Sequence, residues 1–290
     1  MWLIFPAAHA AIPPLDPSQI PGTEHPLGTL ASPSPQPAGS PAFSGPASPS
    51  GILTSDALPL TLSGMTTLED VQVDGSGNSG SCITIAPGAE VTLRNVWITG
   101  CSANMGAAIR VEPGATLTIE ESLFEEGHAN SGGGLAAHEA TVIIRDEATF
   151  RNNTSNGVGG HLFLVDSLLI LEDSTLYGGD AGEGGGIYAQ DSTVRLYDSS
   201  LYGNTAEGRG GAVFIAGGRL RLEQITAYDN SAKRGGGVIY GEDLNNVILL
   251  NPPDPAMGAI PSWSGNHTDA NKGGHIFLNN QVGPVSIKDL

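Results

Sequence analysis

The sequence predicts an all-β fold, a right-handed single-stranded parallel β-helix of about seven to eight coils spanning residues 80–290. Three observations predict it. A glycine-rich tetrad recurs about every 26 residues, an alternating apolar pair follows each copy, and a third apolar anchor is followed three residues later by a turn residue, often asparagine.

The tetrad reads Gly132-Gly133-Gly134-Leu135, Gly159-Gly160-His161-Leu162, Gly184-Gly185-Gly186-Ile187, Gly210-Gly211-Ala212-Val213, Gly235-Gly236-Gly237-Val238 and Gly273-Gly274-His275-Ile276. Weaker copies precede it at Gly106-Ala107-Ala108-Ile109 and Gly80-Ser81-Cys82-Ile83. Its aliphatic position is spaced by 26, 26, 27, 25, 26, 25 and 38 residues. A period of this length marks a solenoid, because one unit cannot bury its apolar stripe without a neighbour. The paired glycines suit a left-handed backbone or a close approach at the start of the first strand.

Downstream come Val91/Leu93, Leu117/Ile119, Val142/Ile144, Leu169/Leu171, Val194/Leu196, Leu220/Leu222, Val247/Leu249 and Val285/Ile287. Their period of two defines a strand with one face inward. The anchors Ile98, Phe124, Phe150, Leu176, Leu201, Ala227 and Trp263 follow, and three residues after each come Cys101, Gly127, Asn153, Gly179, Asn204, Asn230 and Asn266. Each unit therefore reads as three short strands. Asn153, Asn204, Asn230 and Asn266 are expected to stack as a structural ladder whose amides satisfy buried turn backbone. The long last interval is expected to hold a loop, residues 251–261, pushed out of the coil.

Thirteen of the 20 prolines lie in residues 1–60, whereas residues 61–250 hold two. The proline/serine/alanine-rich stretch 1–60 is therefore expected to be disordered, with the β-helix over 61–290. Its first eleven residues are apolar and end on the small-x-small pattern Ala8-His9-Ala10, without a basic start. They read either as a remnant signal peptide or as an arbitrary start. Nowhere do about 18 apolar residues run together, so no transmembrane helix is expected.

Net charge is −18, with 30 acidic against 12 basic residues. This excludes the basic patch that a nucleic-acid partner needs. Two cysteines are too few for a disulfide scaffold. Cys82 and Cys101 lie in neighbouring stretches at the start of the repeats, and a disulfide between them and a pair of free, partly buried thiols are both open readings.

The alternation of Gly-Gly-Ala-Val at 210–213 with Phe150-Arg151-Asn152-Asn153, Leu201-Tyr202-Gly203-Asn204, Ala227-Tyr228-Asp229-Asn230 and Trp263-Ser264-Gly265-Asn266 resembles the repeats of chlamydial polymorphic outer membrane proteins. The resemblance covers about residues 80–290. It implies a pectin-lyase-like β-helix acting as a non-enzymatic adhesin or passenger, secreted or on the cell surface (outer membrane or cell envelope). It also implies a glycan or protein ligand outside the cell. In that family a C-terminal barrel delivers the passenger. Leu290 follows the last strand directly, so either an anchor is missing or the rod stands alone.

The alternative is a polysaccharide lyase or hydrolase working on an acidic face. Glu120, Glu121, Asp146, Glu147, Glu172, Asp173 and Asp198 trail the second strand of successive units and would form a carboxylate stripe able to hold Ca²⁺. Arg145, Arg195 and Arg221 lie nearby, the last two as solvent-facing strand residues. No catalytic set and no cofactor are expected otherwise. Asp74–Gly80 has oxygen ligands at alternate positions but reads as a turn. His161 and His275 replace the third tetrad residue and lie too far apart to share a metal. Of the sequons at Asn152, Asn153 and Asn266, only Asn152 is expected to be open to a glycan, since the other two fall on the ladder.

Overall fold

The computed structural model describes residues 51–250, 263–269 and 273–288. The stretch expected to be disordered lies outside them as far as residue 50, and so does the expected loop over 251–261. The described chain is a parallel β-solenoid. Three sheets hold nine strands each, a fourth holds six, and every paired strand runs parallel to its copy one coil away.

The tetrad sheet begins at Leu60–Leu62 and continues through Ile83–Ile85, Ile109–Val111, Leu135–His138, Leu162–Val165, Ile187–Gln190, Val213–Ala216, Ile239–Glu242 and Ile276–Asn279. Eight of these nine strands carry the tetrads read from the sequence. One register needs correction. Ile239, not Val238, pairs with Val213 and with Ile276. The tetrad in that coil is Gly236-Gly237-Val238-Ile239, and Gly235 stands ahead of it in register with Arg209 of the previous coil.

Two other expectations are also corrected. Gly51–Leu53 pairs with Val71–Val73 and Leu60–Leu62 with Ile83–Ile85, so the solenoid takes in residues 51–60, upstream of the boundary placed at Leu60. A coil holds more than three strands: His128–Ser131, Thr154–Val158, Asp180–Ala181, Thr205–Ala206, Ser231–Ala232 and His267–Thr268 form the fourth sheet. Its inward side chains are small, with Ala129, Ala181, Ala206 and Ala232 buried. Alanine gives little periodic signal, which is why these strands are hard to read from sequence.

The interior is filled by the three apolar columns that the period-two pattern defines. Ile83, Ile109, Leu135, Leu162, Ile187 and Val213 lie in register and are fully buried. The anchor column runs from Ile98 through Phe124, Phe150, Leu176, Leu201 and Ala227 to Trp263. In it the Phe124 and Phe150 rings stack at 4.5 Å. Burying such a column stabilises each coil by about 1.5–3 kcal/mol per large side chain.

The outer face of the tetrad sheet departs from simple alternation. Phe163, Tyr188, Phe214, Tyr240 and Phe277 stack outside it with ring centroids 4.9–5.7 Å apart. Phe163, Phe214 and Tyr240 are nonetheless buried. The glycine turns cover them. Gly210 has φ +68°, and a Cβ there would lie 2.4 Å from the Val213 carbonyl oxygen, so the chain can fold back this tightly only with glycine. The Arg209 guanidinium then lies 4.7 and 4.9 Å from the Phe214 and Tyr240 ring centroids and pairs with Glu183 and Glu242 at 2.8 Å.

At the inward corner the asparagines cap the preceding coil in one repeated pattern. Gly127 N donates to Asn153 Oδ1 (2.9 Å), Gly179 N to Asn204 Oδ1 (3.0 Å), Asn204 N to Asn230 Oδ1 (3.1 Å) and Asn230 N to Asn266 Oδ1 (2.9 Å). Each amide nitrogen donates in turn to an anchor-strand carbonyl, of Phe124, Leu176, Leu201 and Ala227 respectively. Gly179 breaks the series, and His161 fills the gap. A Cβ on Gly179 would lie 2.8 Å from His161 Nε2. The imidazole accepts from Asn153 Nδ2 at Nδ1 (3.0 Å) and donates from Nε2 to Asn204 Oδ1 (3.2 Å). This fixes the neutral Nε2–H tautomer. Burial pushes its pKa down to about 3.

Asn204→Leu should leave the Gly179 N–H and Leu176 carbonyl buried without partners and cost about 3 kcal/mol or more, measurable by chemical denaturation. His161 binds its proton far more weakly when folded than when unfolded. Its contribution is complete above about pH 6.5 and is lost as pH falls toward about 3, by up to about 1.4 kcal/mol per pH unit. NMR should show the His161 ring unchanged across the interval in which a free histidine titrates, and His161→Gln should flatten the loss of stability there.

Candidate functional site

Three of the corners between strands are turned by residues with a left-handed backbone, and acidic residues recur at all three. Aspartate and asparagine adopt this conformation more readily than other non-glycine residues. The corner after the second strand carries Glu121, Asp146, Glu147, Asp173 and Asp198, all at φ between 44° and 61°. The corner after the tetrad strand carries Glu139, Asp166, Asp191 and Asp243 at φ 49–55°. The corner before the asparagine ladder carries Glu126, Asn152 and Asp229. Backbone hydrogen bonds fix each corner to the next coil, as with Glu139 N to Val165 O (3.0 Å) and Asp166 N to Gln190 O (3.1 Å). The side chains project outward in columns with about 4.8 Å between coils.

Between the tetrad sheet and the second sheet these corners edge a shallow groove of about 450 Å³. Glu139, Asp166 and Asp191 form one side, and Thr141, Leu168, Thr193 and Arg195 the other. The groove runs along the rod over four coils, from Gly114 and Ala115 to Asp191 and Arg195, the last three of which carry the carboxylates. This carboxylate column lies ahead of the second strand, outside the stripe expected downstream of it. Its signal is present, because Glu139, Asp166 and Asp191 each stand three residues before the inward Val142, Leu169 and Val194.

The stripe expected from Glu120 to Asp198 is split by the structure. Glu121, Asp146, Glu147, Glu172, Asp173 and Asp198 are exposed at or beside the second corner. Glu120 is not an open acid of that stripe. It is buried between two coils and accepts from Arg94 (2.9 Å) and Arg145 (2.5 Å). Hydrogen bonding to Arg145 and then Arg94, opposed by burial, holds its carboxyl below the usual range, so it stays ionised and cannot act as a proton donor near neutrality. Glu125, on the anchor strand Leu123–Glu125, is also buried and accepts from Trp97 Nε1 (2.7 Å) and Arg151 Nε (2.5 Å). Arg195 is exposed in the groove, whereas Arg221 pairs with Glu223 at 2.8 Å.

Cys82 and Cys101 form a disulfide with Cα atoms 6.0 Å apart. Cys101 occupies the ladder position of its coil, so the bond fills the interior where the first asparagine would stand. Asp74–Gly80 forms a turn: Asp74 accepts from Ser76 N (3.0 Å), and Asn78 N donates to Gly75 O (2.9 Å). Among the described residues, no group of three or more His, Cys, Asp or Glu could hold a metal ion, and no helix is long and apolar enough to cross a membrane. Asn152 is half-buried at its corner, while Asn153 is fully buried and Asn266 donates to Ala227 O (2.9 Å).

A stack of parallel coils with a dry interior and outward side-chain columns defines the chain as a β-helix protein. The chain belongs to the right-handed β-helix family, whose right handed beta helix region matches residues 81–252. No curated protein and no solved structure matches it.

Glu120→Gln should strand the Arg94 and Arg145 charges and lower stability at neutral pH. The lowered pKa of Glu120 means that its contribution is present above the ordinary glutamate range and lost on acidification through its folded value. The gap between wild type and Glu120→Gln in denaturation midpoint should therefore close as pH falls.

Proposed function

We propose that this chain is a non-enzymatic binding scaffold that works outside the cell, a rod presenting repeated side-chain columns to an extracellular glycan or protein in the manner of surface adhesins. The observation that carries this reading is the repetition of the outer surface. The groove offers the same carboxylate corner in three successive coils, Glu139, Asp166 and Asp191, each on a backbone fixed by the next coil. Identical groups at a constant step suit a repetitive ligand. Bond cleavage instead asks for unlike groups, an acid and a base or nucleophile, converging on one bond. The Cys82–Cys101 disulfide supports an oxidising compartment, hence secretion or surface display. The alternating tetrads, which resemble those of polymorphic outer membrane proteins, support the adhesin-like role.

A second reading has one observation in its favour. Arg195 stands in the groove with Asp166 and Asp191, an arrangement that a Ca²⁺-assisted polysaccharide lyase could use. The two readings separate on polygalacturonate and alginate with and without added Ca²⁺. The scaffold reading expects no unsaturated product and retention of the intact rod on cells or matrix. Unsaturated product that disappears in Asp166→Asn or Asp191→Asn, or in Asp173→Asn with Asp198→Asn, would overturn it.

A further inference from the structure

We propose that the outer face of the fourth sheet, over its first coils, is a binding site for an uncharged polysaccharide chain. This rests on the scaffold reading above and names its ligand class and its site. Two outward columns run side by side there. Ser102, His128 and Thr154 form one, joined by backbone pairing and by a hydrogen bond between His128 Nδ1 and Thr154 Oγ1. Asn104, Asn130 and Asn156 form the other. Asn130 Nδ2 donates to Asn104 Oδ1 (2.7 Å), and Asn156 Nδ2 donates to Asn130 Oδ1 (3.1 Å). All three asparagines are exposed.

This second ladder differs from the inward one in what it satisfies. The inward amides cap buried backbone. The outer amides bond mainly to one another and face water. An amide has two N–H donors and two acceptor lone pairs. Asn130 spends one of each along the column and keeps one of each for a ligand. The column is therefore a pre-ordered row of alternating donors and acceptors at about 4.8 Å intervals. Ordering the side chains before binding removes part of the entropy cost of recognition.

Charge chooses the occupant. The chain carries −18, yet these six side chains include no carboxylate, lysine or arginine. Further along the same two columns charge returns, at Asp180 beside Thr154 and at the exposed Glu207–Lys233 pair. An anionic polymer is repelled by Asp180 and by Glu126 at the neighbouring corner. A cationic one finds better partners in the carboxylate groove. A neutral chain rich in hydroxyl groups matches alternating donors and acceptors without needing a counter-charge. The glycine at position 182, one coil on, ends the amide column and so sets the length of the site at about three coils.

The full chain should be tested for retention on insoluble neutral polysaccharides (cellulose, mannan and a β-1,3-glucan) against polygalacturonate and alginate, at low and high salt. Retention by a neutral polymer, undiminished at high salt, is expected. Asn130→Asp keeps the side-chain shape and should weaken binding about tenfold or more, and Asp180→Asn should strengthen it by extending the neutral face. Thermal midpoints of both variants report whether folding is intact. Retention by a neutral polymer that Asn130→Asp leaves unchanged would overturn the site while leaving the scaffold reading in place. Binding confined to anionic polymers or to proteins, or no retention on any neutral polymer, would overturn the ligand class. Cleavage of a polymer would instead overturn the scaffold reading on its own.

Discussion

The inward corner is the constraint on which the rest of the solenoid depends. A coil of about 26 residues must turn back on itself, and one of its corners faces the dry interior. Backbone groups there cannot reach water, and each one left unpaired costs about 1–3 kcal/mol. Burying one large aliphatic side chain gains about 1.5–3 kcal/mol. Two orphaned groups per coil would therefore cancel much of what the apolar columns contribute. Asparagine solves this because one amide both accepts and donates, reaching a backbone N–H and an anchor-strand carbonyl of the previous coil. Where Gly179 replaces it, His161, just ahead of the tetrad strand, bridges the gap by bonding the side-chain amides of Asn153 and Asn204 on either side. The exchange explains why both residues depart from the repeat in adjoining stretches.

With the interior settled this way, the outer surface is free to vary. Carboxylates one coil apart lie within a Debye length of about 8–10 Å and repel one another. The rod tolerates this because its stability comes from inside and because arginines interrupt the acidic rows at Arg94, Arg145, Arg151 and Arg209. What a given face can bind is then decided by one or two side chains per coil, repeated. The carboxylate groove and the outer amide column are two results of one geometry.

Much of this was legible in the sequence. Period-two pairs, apolar anchors and tetrads identified the strands of three sheets and most of their registers, because each element buries a large side chain at a fixed interval. Legibility failed where that signal is absent or ambiguous. Gly235 adds a glycine to a run of glycines, so the frame of its tetrad slips by one and Ile239 looks like an outward residue. The fourth sheet offers only alanines to the core. Glu120 follows its strand as other acids do, and only contact with Arg94 and Arg145, 26 and 25 residues away, removes it from the surface. The aromatic column from Phe163 to Phe277 alternates correctly for exposure, yet the glycine turns fold over it. In the candidate site the acidic corners were visible as residues, but which columns share a groove depends on how sheets meet in space.

The covalent link between Cys82 and Cys101 gives the rod a fixed point. Linear arrays come apart by fraying, since each coil is held only by its neighbours. The bond joins the entry of a tetrad strand to the ladder position of the same coil, 19 residues on, so that coil cannot open while the cystine is intact. Unravelling under heat or pulling force that reaches this coil halts there, so a ligand gripping the coils beside it would be held by the part of the molecule that lets go last.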